Sequence, residues 1–388
     1  MSGRKVRSPG FWPGFFILLM ILFSVVLVRR FTGGLGAVSN LSDEMPWGLW
    51  IGFDLLSGVA LAAGGFTITA IVYLLHLDRY RPIVRPALLT AFLGYLMVIA
   101  ALLVDLGRPW NIWHPLIFWN PHSVMFEVGW CVMLYTTVLF LEFLPLVFER
   151  FRIQRALTLW SRYLTPPLVI AGVLLSTLHQ SSLGTLYVIV PGKLHPLWYS
   201  PILPLLFFVS AISLGLAMTS VESFLSLRAF GKRLEPGILR GLGRATAVTL
   251  LLYLTLRFED LFVRGVLDQA FRFDTASIFF LLEVGPGGML PMLLLFSSRV
   301  RRRPLALLGA QLLVVLGLIF QRMNVAITAF QLGTGVSYVP HWQEFVISLG
   351  LVAVGFALFA LAVRFLPVFP EGPLARPRPT DPLSTLAP

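Results

Sequence analysis

Long apolar segments alternate with short polar loops along most of the chain. Ten segments reach the length of roughly 20 residues that an α-helix needs to cross a bilayer. They lie at about 13–33, 50–78, 84–106, 122–149, 160–183, 200–229, 242–264, 272–298, 304–326 and 344–367. The pattern predicts an all-α polytopic membrane protein with about ten transmembrane helices.

Composition agrees with this class of protein. Of 388 residues, 57% are hydrophobic and only 12% are charged, and the mean hydropathy is +0.84, which is far from a soluble domain. The formal net charge of +12 could indicate a nucleic-acid partner. However, the basic residues fall in short loops between apolar segments, where they determine topology. We therefore exclude a nucleic-acid partner; the surrounding partner is membrane lipid.

The basic residues are divided unequally between alternate loops. One set of loops, which includes both termini, holds 22 of the 30 Lys and Arg residues. Under the positive-inside rule, this predicts that both termini are cytoplasmic in a bacterial inner membrane. The first segment has a basic start but no small-residue cleavage site after Arg29 and Arg30, so we interpret it as an uncleaved anchor.

Three regions follow from this topology. Residues 1–12 form a cytoplasmic N-terminus, residues 13–367 a membrane domain, and residues 368–388 a Pro-rich, disordered cytoplasmic tail.

The membrane domain contains a weak internal repeat. A spacing similar to that between Asp105 and Glu127 recurs between Asp260 and Glu283, which suggests two four-helix repeats, at 50–183 and 200–326, plus two extra helices. Coincidence remains the alternative.

A polar motif interrupts the apolar segment from Leu174 to Leu186. It contains His179, Gln180, Ser181, Ser182 and Gly184. Polar groups in lipid are costly unless they face protein, water or a ligand, so a ligand or proton role is favoured for His179 and Gln180. For the serines, a helix cap formed with Gly184 remains an alternative.

Other ionisable residues lie at a similar depth. Nine fall toward the extracytoplasmic side of their helices: Asp54, Asp105, Glu127, His179, Arg257, Glu259, Asp260, Arg322 and Glu344. Tyr95 and Glu283 are nearer mid-depth, whereas Glu142, Glu222 and His76 lie toward the cytoplasm. The distribution predicts one polar cavity near the outer face, with a sparser trail inward.

The chain offers little to hold a redox metal. Its single cysteine, Cys131, excludes an iron–sulfur cluster held by this chain, because such clusters take about four Cys ligands. Of six His residues, only His76 and His179 fall within predicted helices, and they lie at opposite faces. We therefore expect neither a haem nor a metal site.

The loop at 108–122 reads RPWNIWHPLIFWNPH and holds three Trp and three Pro. An aromatic belt at the membrane interface explains the Trp residues without any function. The alternative is a rigid lid and docking surface for a partner protein.

A set of motifs together resembles the polysulfide reductase NrfD/PsrC family, and within it the HybB-type subunits of membrane-bound [NiFe]-hydrogenases. The motifs are MPWGLWIGFDLLSGVALAAGG, RPALL, DLGRPWN, NPHSVMFE, LEFLP with FER, TLHQSSLGTL and HPLW. The resemblance implies a haem-free subunit that reacts with quinone, menaquinone in preference to ubiquinone. It also implies an extracytoplasmic iron–sulfur electron-transfer partner and a catalytic enzyme such as [NiFe]-hydrogenase.

The resemblance also implies roles for single residues. Glu127, His179, Tyr95 and Glu222 correspond to residues linked to quinone binding or proton transfer. We expect the quinone to contact His179 and Glu127, with Gln180 and Ser182 from the same motif as His179. Asp105 and Arg108 are expected to support the site from beside it. A glycine-rich break after Glu283 leaves open whether that residue faces lipid or the cavity.

Two other functions compete with this one. A secondary transporter also uses buried acids, arginines and broken helices, but its polar cluster would lie at mid-depth. A structural anchor for an extracytoplasmic enzyme would explain the loops but not the buried acids.

Overall fold

The computed structural model describes residues 11–230 and 235–369. Within these ranges the chain forms helices and loops, and no strand occurs among them. The predicted all-α class is confirmed. The predictions for residues 1–10 and for the tail from 370 onward lie outside the described residues.

Ten long helices account for the predicted segments. They are α1 Phe11–Gly33, α2 Trp50–Tyr73, α3 Asp78–Asp105, α4 Val124–Arg150, α5 Gln154–Val188, α6 Leu203–Phe230, α7 Pro236–Val263, α8 Thr275–Phe296, α9 Pro304–Thr334 and α10 Trp342–Phe365. Among the described residues, nine are long and apolar enough to cross a membrane. The other is α7, whose 28 residues include Arg244, Arg257 and Glu259, which lower its hydropathy.

The helices form two rings of four. In the first ring α2, α3, α4 and α5 each pack against the next, and α5 closes on α2. In the second ring α6, α7, α8 and α9 close in the same way, and the rings meet where α6 packs against α2 and α5. Helices α1 and α10 pack together outside the first ring, on α3. The arrangement matches two four-helix bundles plus two extra helices, whereas the proposed sequence repeat and domain boundaries stay predictions.

The two ends of the molecule differ in composition. At the Arg-rich end, defined by Arg79, Arg85 and the 299–303 segment, Arg85 bonds the Glu149 carboxylate at 2.7 Å and the Pro367 carbonyl at 3.0 Å. At the Trp-rich end, defined by the 108–122 loop, the chain has only short helical turns at Pro109–Asn111 and His114–Ile117. The Trp130 indole fixes this loop by donating to Pro115 O at 2.9 Å.

Helix α5 differs from its prediction. It runs through the polar motif to Val188 and does not end there, so the interpretation of the serines and Gly184 as a helix cap is wrong. Gly184 instead allows close packing on α6, because a Cβ there would lie 2.6 Å from Pro204 Cα. The motif therefore faces protein from inside a continuous helix.

Several helices contain irregular turns. Wider π-helical turns occur at Trp50–Ser57 in α2, Gly285–Met289 in α8 and Asn324–Thr328 in α9. Such turns leave backbone groups without their usual partners and are common near functional sites. In α2, Ala63 N bonds Ala60 O at 3.2 Å, which frees the Val59 carbonyl.

Candidate functional site

The acid of α4 and a serine of α5 are brought together near the Trp-rich end. Ser123 caps the start of α4 by accepting from Phe126 N at 3.4 Å, which places Glu127 in the first turn. The Ser182 hydroxyl donates to Glu127 Oε1 at 2.5 Å. Ser182 is buried, but Glu127 keeps an exposed carboxylate, because the first turn of α4 lies at the edge of the ring.

One turn deeper lies a buried polar group, which we call the His179 cluster: His179, Tyr95, Tyr135 and Ser176. His179 is fully buried, its ring centroid is 5.7 Å from that of Tyr95, and the two tyrosine rings meet edge to face at 4.7 Å. Ser176 lies close to both phenols, although without hydrogen-bond geometry. Five polar groups of the cluster have no hydrogen-bond partner among the described residues: both ring nitrogens of His179, the hydroxyls of Tyr95 and Tyr135, and the hydroxyl of Ser176.

These unpaired groups are unusual. A buried donor or acceptor without a partner costs about 1–3 kcal/mol, and here several converge between apolar side chains such as Leu139 and Leu183. The phenols and an imidazole N–H can donate, and the other imidazole nitrogen can accept. The cluster can therefore recognise a largely apolar ligand that carries carbonyl oxygens.

Gln180 helps to hold this part of α5. Its amide Nε2 donates to the free Val59 carbonyl of α2 at 3.1 Å. Its Oε1 is buried and has no partner among the described residues. Gln180 thus links α5 to the irregular turn of α2, and one acceptor remains available.

Glu222 lies apart from the cluster, toward the Arg-rich end of α6. It is buried, at 9% exposure, and its nearest polar neighbour is the Thr90 hydroxyl of α3. The Thr90 hydroxyl falls short of hydrogen-bond geometry. Thr90 precedes Tyr95 by five residues on α3, so Glu222 lies on the Arg-rich side of the His179 cluster and not within it.

The structure does not bring Asp105 and Arg108 to this site. Arg108 is exposed in the loop after α3, with no ion pair in the described part of the chain. Asp105 interacts instead with Arg30, Asp54 and Glu344, on the side of α3 that faces α1 and α10. Arg30 is 2% exposed and donates to the Val104 and Leu106 carbonyls, both at 2.6 Å.

Asp54 and Glu344 belong to this separate group. Ser348 of α10 donates to Asp54 Oδ2 at 2.6 Å, and Tyr338 donates to Glu344 Oε2. Burial, followed by this bond, raises the pKa of Tyr338, so the phenol remains a donor. These contacts tie α2 to α10, which is a structural role.

The second ring has its own buried cluster. Glu283 is 4% exposed; its carboxylate accepts from Trp198 Nε1 at 2.7 Å and Asn324 Nδ2 at 2.9 Å, and pairs with Arg257 at 3.2 Å. The break after Glu283 therefore turns it into the bundle and away from lipid. Arg322 is also buried and bonds Phe207 O at 3.0 Å. The sequence predicted that the polar residues line a single cavity, but in the structure they form three separate clusters.

Sequence reasoning missed several residues of these clusters, among them Tyr135, Ser176, Trp198 and Asn324. Tyr135 follows Glu127 by eight residues, and Ser176 precedes His179 by three, so both share a helix face with a predicted residue. That spacing was the available signal. Nothing in the sequence distinguished Trp198 and Asn324 from other interfacial polar residues.

Known proteins give a clear family assignment. The family described as "Polysulphide reductase, NrfD" matches residues 37–333. A Nitratidesulfovibrio vulgaris protein is 40% identical over 383 residues, covering 96% of this chain and 97% of its own. The "Probable Ni/Fe-hydrogenase 2 b-type cytochrome subunit" of Escherichia coli is 35% identical (95% and 94% covered), and the "Menaquinone reductase, integral membrane subunit" of N. vulgaris is 29% identical (88% of each). With ten long helices among the described residues, eight of them in two rings of four, and this match over most of its length, the chain is a multi-pass membrane protein of the NrfD family.

Proposed function

We propose that this chain is the quinone-reactive membrane subunit of a multi-subunit oxidoreductase, in which the His179 cluster binds quinone. The observation that carries the proposal is the convergence of unpaired buried polar atoms on His179, Tyr95 and Tyr135. The names of two relatives, a hydrogenase subunit and a menaquinone reductase subunit, support it.

The residues of the cluster suit this ligand. A quinone, when bound, accepts two electrons and two protons at its two carbonyl oxygens. His179 can donate its imidazole N–H to one oxygen, and its other ring nitrogen can accept a proton in exchange. The phenols of Tyr95 and Tyr135 can donate hydrogen bonds at the same depth. Glu127, held by Ser182 at 2.5 Å, can exchange protons between this site and the Trp-rich end.

Protons consumed at the site need a second source, and Glu222 is the candidate. It is buried on the Arg-rich side of the cluster, next to Thr90. A carboxyl group there can be loaded from that end and deliver toward Tyr95. If the Arg-rich end is cytoplasmic, this delivery moves charge across the membrane and couples turnover to the membrane potential.

The orientation and partners are part of the same proposal. The charge bias supports an extracytoplasmic Trp-rich end in a bacterial inner membrane. There the exposed Trp110 (68%) and Trp119 (64%) offer an aromatic surface for an iron–sulfur electron-transfer subunit. The catalytic partner would be an enzyme such as [NiFe]-hydrogenase, and the quinone menaquinone, in line with the named relatives.

A b-type haem, as in the name of the E. coli relative, does not fit the residues of this chain. Among the six His residues, His179 alone lies within a ring of helices. His76 follows the end of α2, His114, His122 and His195 are in or beside loops of the Trp-rich end, and His341 precedes α10. His179 therefore has no facing histidine with which to hold a haem iron.

Replacement of His179 tests the proposal in the complex purified from its native membrane. His179→Ala should lower hydrogen- or donor-linked quinone reduction by about 10²-fold, the range of a lost acid–base group. Activity with artificial dyes should persist, because a dye takes electrons before they reach this subunit. Thr177→Ala is the matched control, since its hydroxyl only bonds Val173 O of the same helix at 2.7 Å. Near wild-type quinone reduction in His179→Ala would reject the proposal.

A further inference from the structure

We propose that Glu142 of α4 is a second proton donor to the His179 cluster, supplied from the Arg-rich end along the α4–α5 interface and independent of Glu222. The inference rests on the proposed function, because it names another residue that serves the same site. It is carried by the contacts between α4 and α5.

Polar residues of α4 form one line along the helix. Glu127, Cys131, Tyr135 and Glu142 occupy positions i, i+4, i+8 and i+15, which fall on one face at 3.6 residues per turn. This face is otherwise apolar, with Val138 and Leu139 between the last two. The line begins at the Trp-rich end with the Glu127–Ser182 pair and passes the cluster at Tyr135.

Helix α5 presents a matching line to it. Ser182 contacts Glu127, and Ser176 lies next to Tyr135. Further along, Gly172 faces Glu142: a Cβ at Gly172 would lie 3.7 Å from Glu142 Oε2 and 3.8 Å from Oε1. The Glu142 carboxylate is thus directed at α5, into the interface and not away from it.

Glu142 has no evident structural task. It has no ion pair or hydrogen bond among the described residues, whereas its neighbour Glu149 pairs with Arg85 at 2.7 Å. An ionisable residue inside a membrane helix without a partner is costly and is a functional candidate by default. Seven residues, about two helical turns, separate Glu142 from Tyr135 of the cluster, and the two residues share one face of α4.

The interface on the Arg-rich side of Glu142 is irregular in both helices. Pro145 cannot donate to the Leu141 carbonyl, and the Trp160 indole of α5 donates to that carbonyl instead, at 3.1 Å. Trp160 opens the wider turn Trp160–Leu164. The two helices are therefore not regularly wound where a proton would enter from the Arg-rich end.

The two acids approach the cluster from different sides. Glu222 of α6 lies beside Thr90 of α3, five residues from Tyr95, while Glu142 lies against Gly172 of α5, on the face of α4 that also holds Tyr135. The ring centroids of Tyr95 and Tyr135 are 4.7 Å apart. The two proton branches, one through Glu222 and one through Glu142, therefore meet at this pair of rings. In each turnover a carboxylic acid gives its proton toward the bound quinone oxygen and takes another from the Arg-rich end, while the partner subunit supplies the electrons.

Glutamine replacements in the whole complex test the branch, because Gln keeps the shape of Glu without its proton. Single variants Glu142→Gln and Glu222→Gln should each retain part of the quinone turnover, since the other branch remains. The double variant should lose a further tenfold or more relative to Glu222→Gln, within the range of a lost acid–base group. Adding Glu142→Asp to Glu222→Gln should preserve the residual turnover, which a purely structural role would not predict. Thr137→Ala, on the same helix with its hydroxyl bonded to Met133 O, is the control.

The outcomes separate this inference from the proposed function. A double variant no slower than Glu222→Gln overturns the role of Glu142, whatever His179→Ala shows. Equal loss in Glu142→Gln and Glu142→Asp, accompanied by lower yield of the complex, also overturns it in favour of a packing role. If His179→Ala keeps full quinone turnover, the proposed function itself fails.

Discussion

At the scale of single residues, the position of a polar residue along its helix could be predicted from the sequence, but the helix face it occupies could not. His179 and Gln180 stand out because polar residues interrupt an apolar segment. Asp105 shares their end of the molecule, yet it faces α1 and α10, whereas Tyr95 on the same helix faces the cluster. Tyr135 was missed because a tyrosine in a membrane helix is ordinary until its neighbours are known.

Ser182 should matter through a single hydrogen bond. Ser182→Ala removes the donor that holds the Glu127 carboxylate at 2.5 Å, and bonds to charged groups contribute about 1.5–3 kcal/mol. At 1.4 kcal/mol per factor of ten, we expect quinone-linked turnover to fall about ten- to a hundredfold. Steady-state kcat and KM for quinone measure this. The adjacent Ser181→Ala should behave like wild type, and equal rates in the two variants would contradict the role of the bond.

At the scale of the helices, hydropathy predicted that the helices exist and in what order, but it did not predict where they end or where they are interrupted. Helix α5 extends to 154–188 and not 160–183, because polar residues packed inside a ring do not mark a helix end. The break after Glu283 was visible in its glycines, but its direction depended on partners from the loop before α6, from α7 and from α9. Packing between rings, as at Gly184 and Pro204, likewise depends on contacts that are distant in sequence.

Close helix packing should make one glycine of α9 intolerant of a side chain. Gly317 lies against the Gly287 backbone of α8, and a Cβ there would overlap it. Gly317→Ala should destabilise the protein by about 1–3 kcal/mol, as overpacking does, and lower the Tm of the detergent-solubilised protein. Gly309→Ala on the same helix is the control, because no atom lies within 4 Å of its Cβ position. An unchanged Tm for Gly317→Ala would show that α8 and α9 can separate without loss.

At the scale of the whole molecule, the ten long helices match the ten apolar segments of the sequence, although only nine of the described helices meet the criteria for a span. The rings could not be derived from the sequence alone, since the repeat of Asp105 and Glu127 as Asp260 and Glu283 is too short to establish them. The third helix of each ring, α4 and α8, carries one of these acids, and their environments differ. Glu127 is exposed beside Ser182, whereas Glu283 is buried with Arg257. The rings share an architecture and differ in chemistry.

The orientation depends on whether α7 crosses the membrane. It is the one long helix of the described residues that falls short of the criteria for a span, yet it closes the second ring between α6 and α8. If it crosses, both termini lie on the side that holds 22 of the 30 basic residues, and that side is cytoplasmic. A reporter that is active only in the periplasm should then be inactive when fused after Pro388 and active when fused after Gly192, in a loop of the Trp-rich end. Activity of the Pro388 fusion would contradict the ten-span topology. In that case an active fusion after Ser297, just beyond α8, would identify α7 as the helix that does not cross.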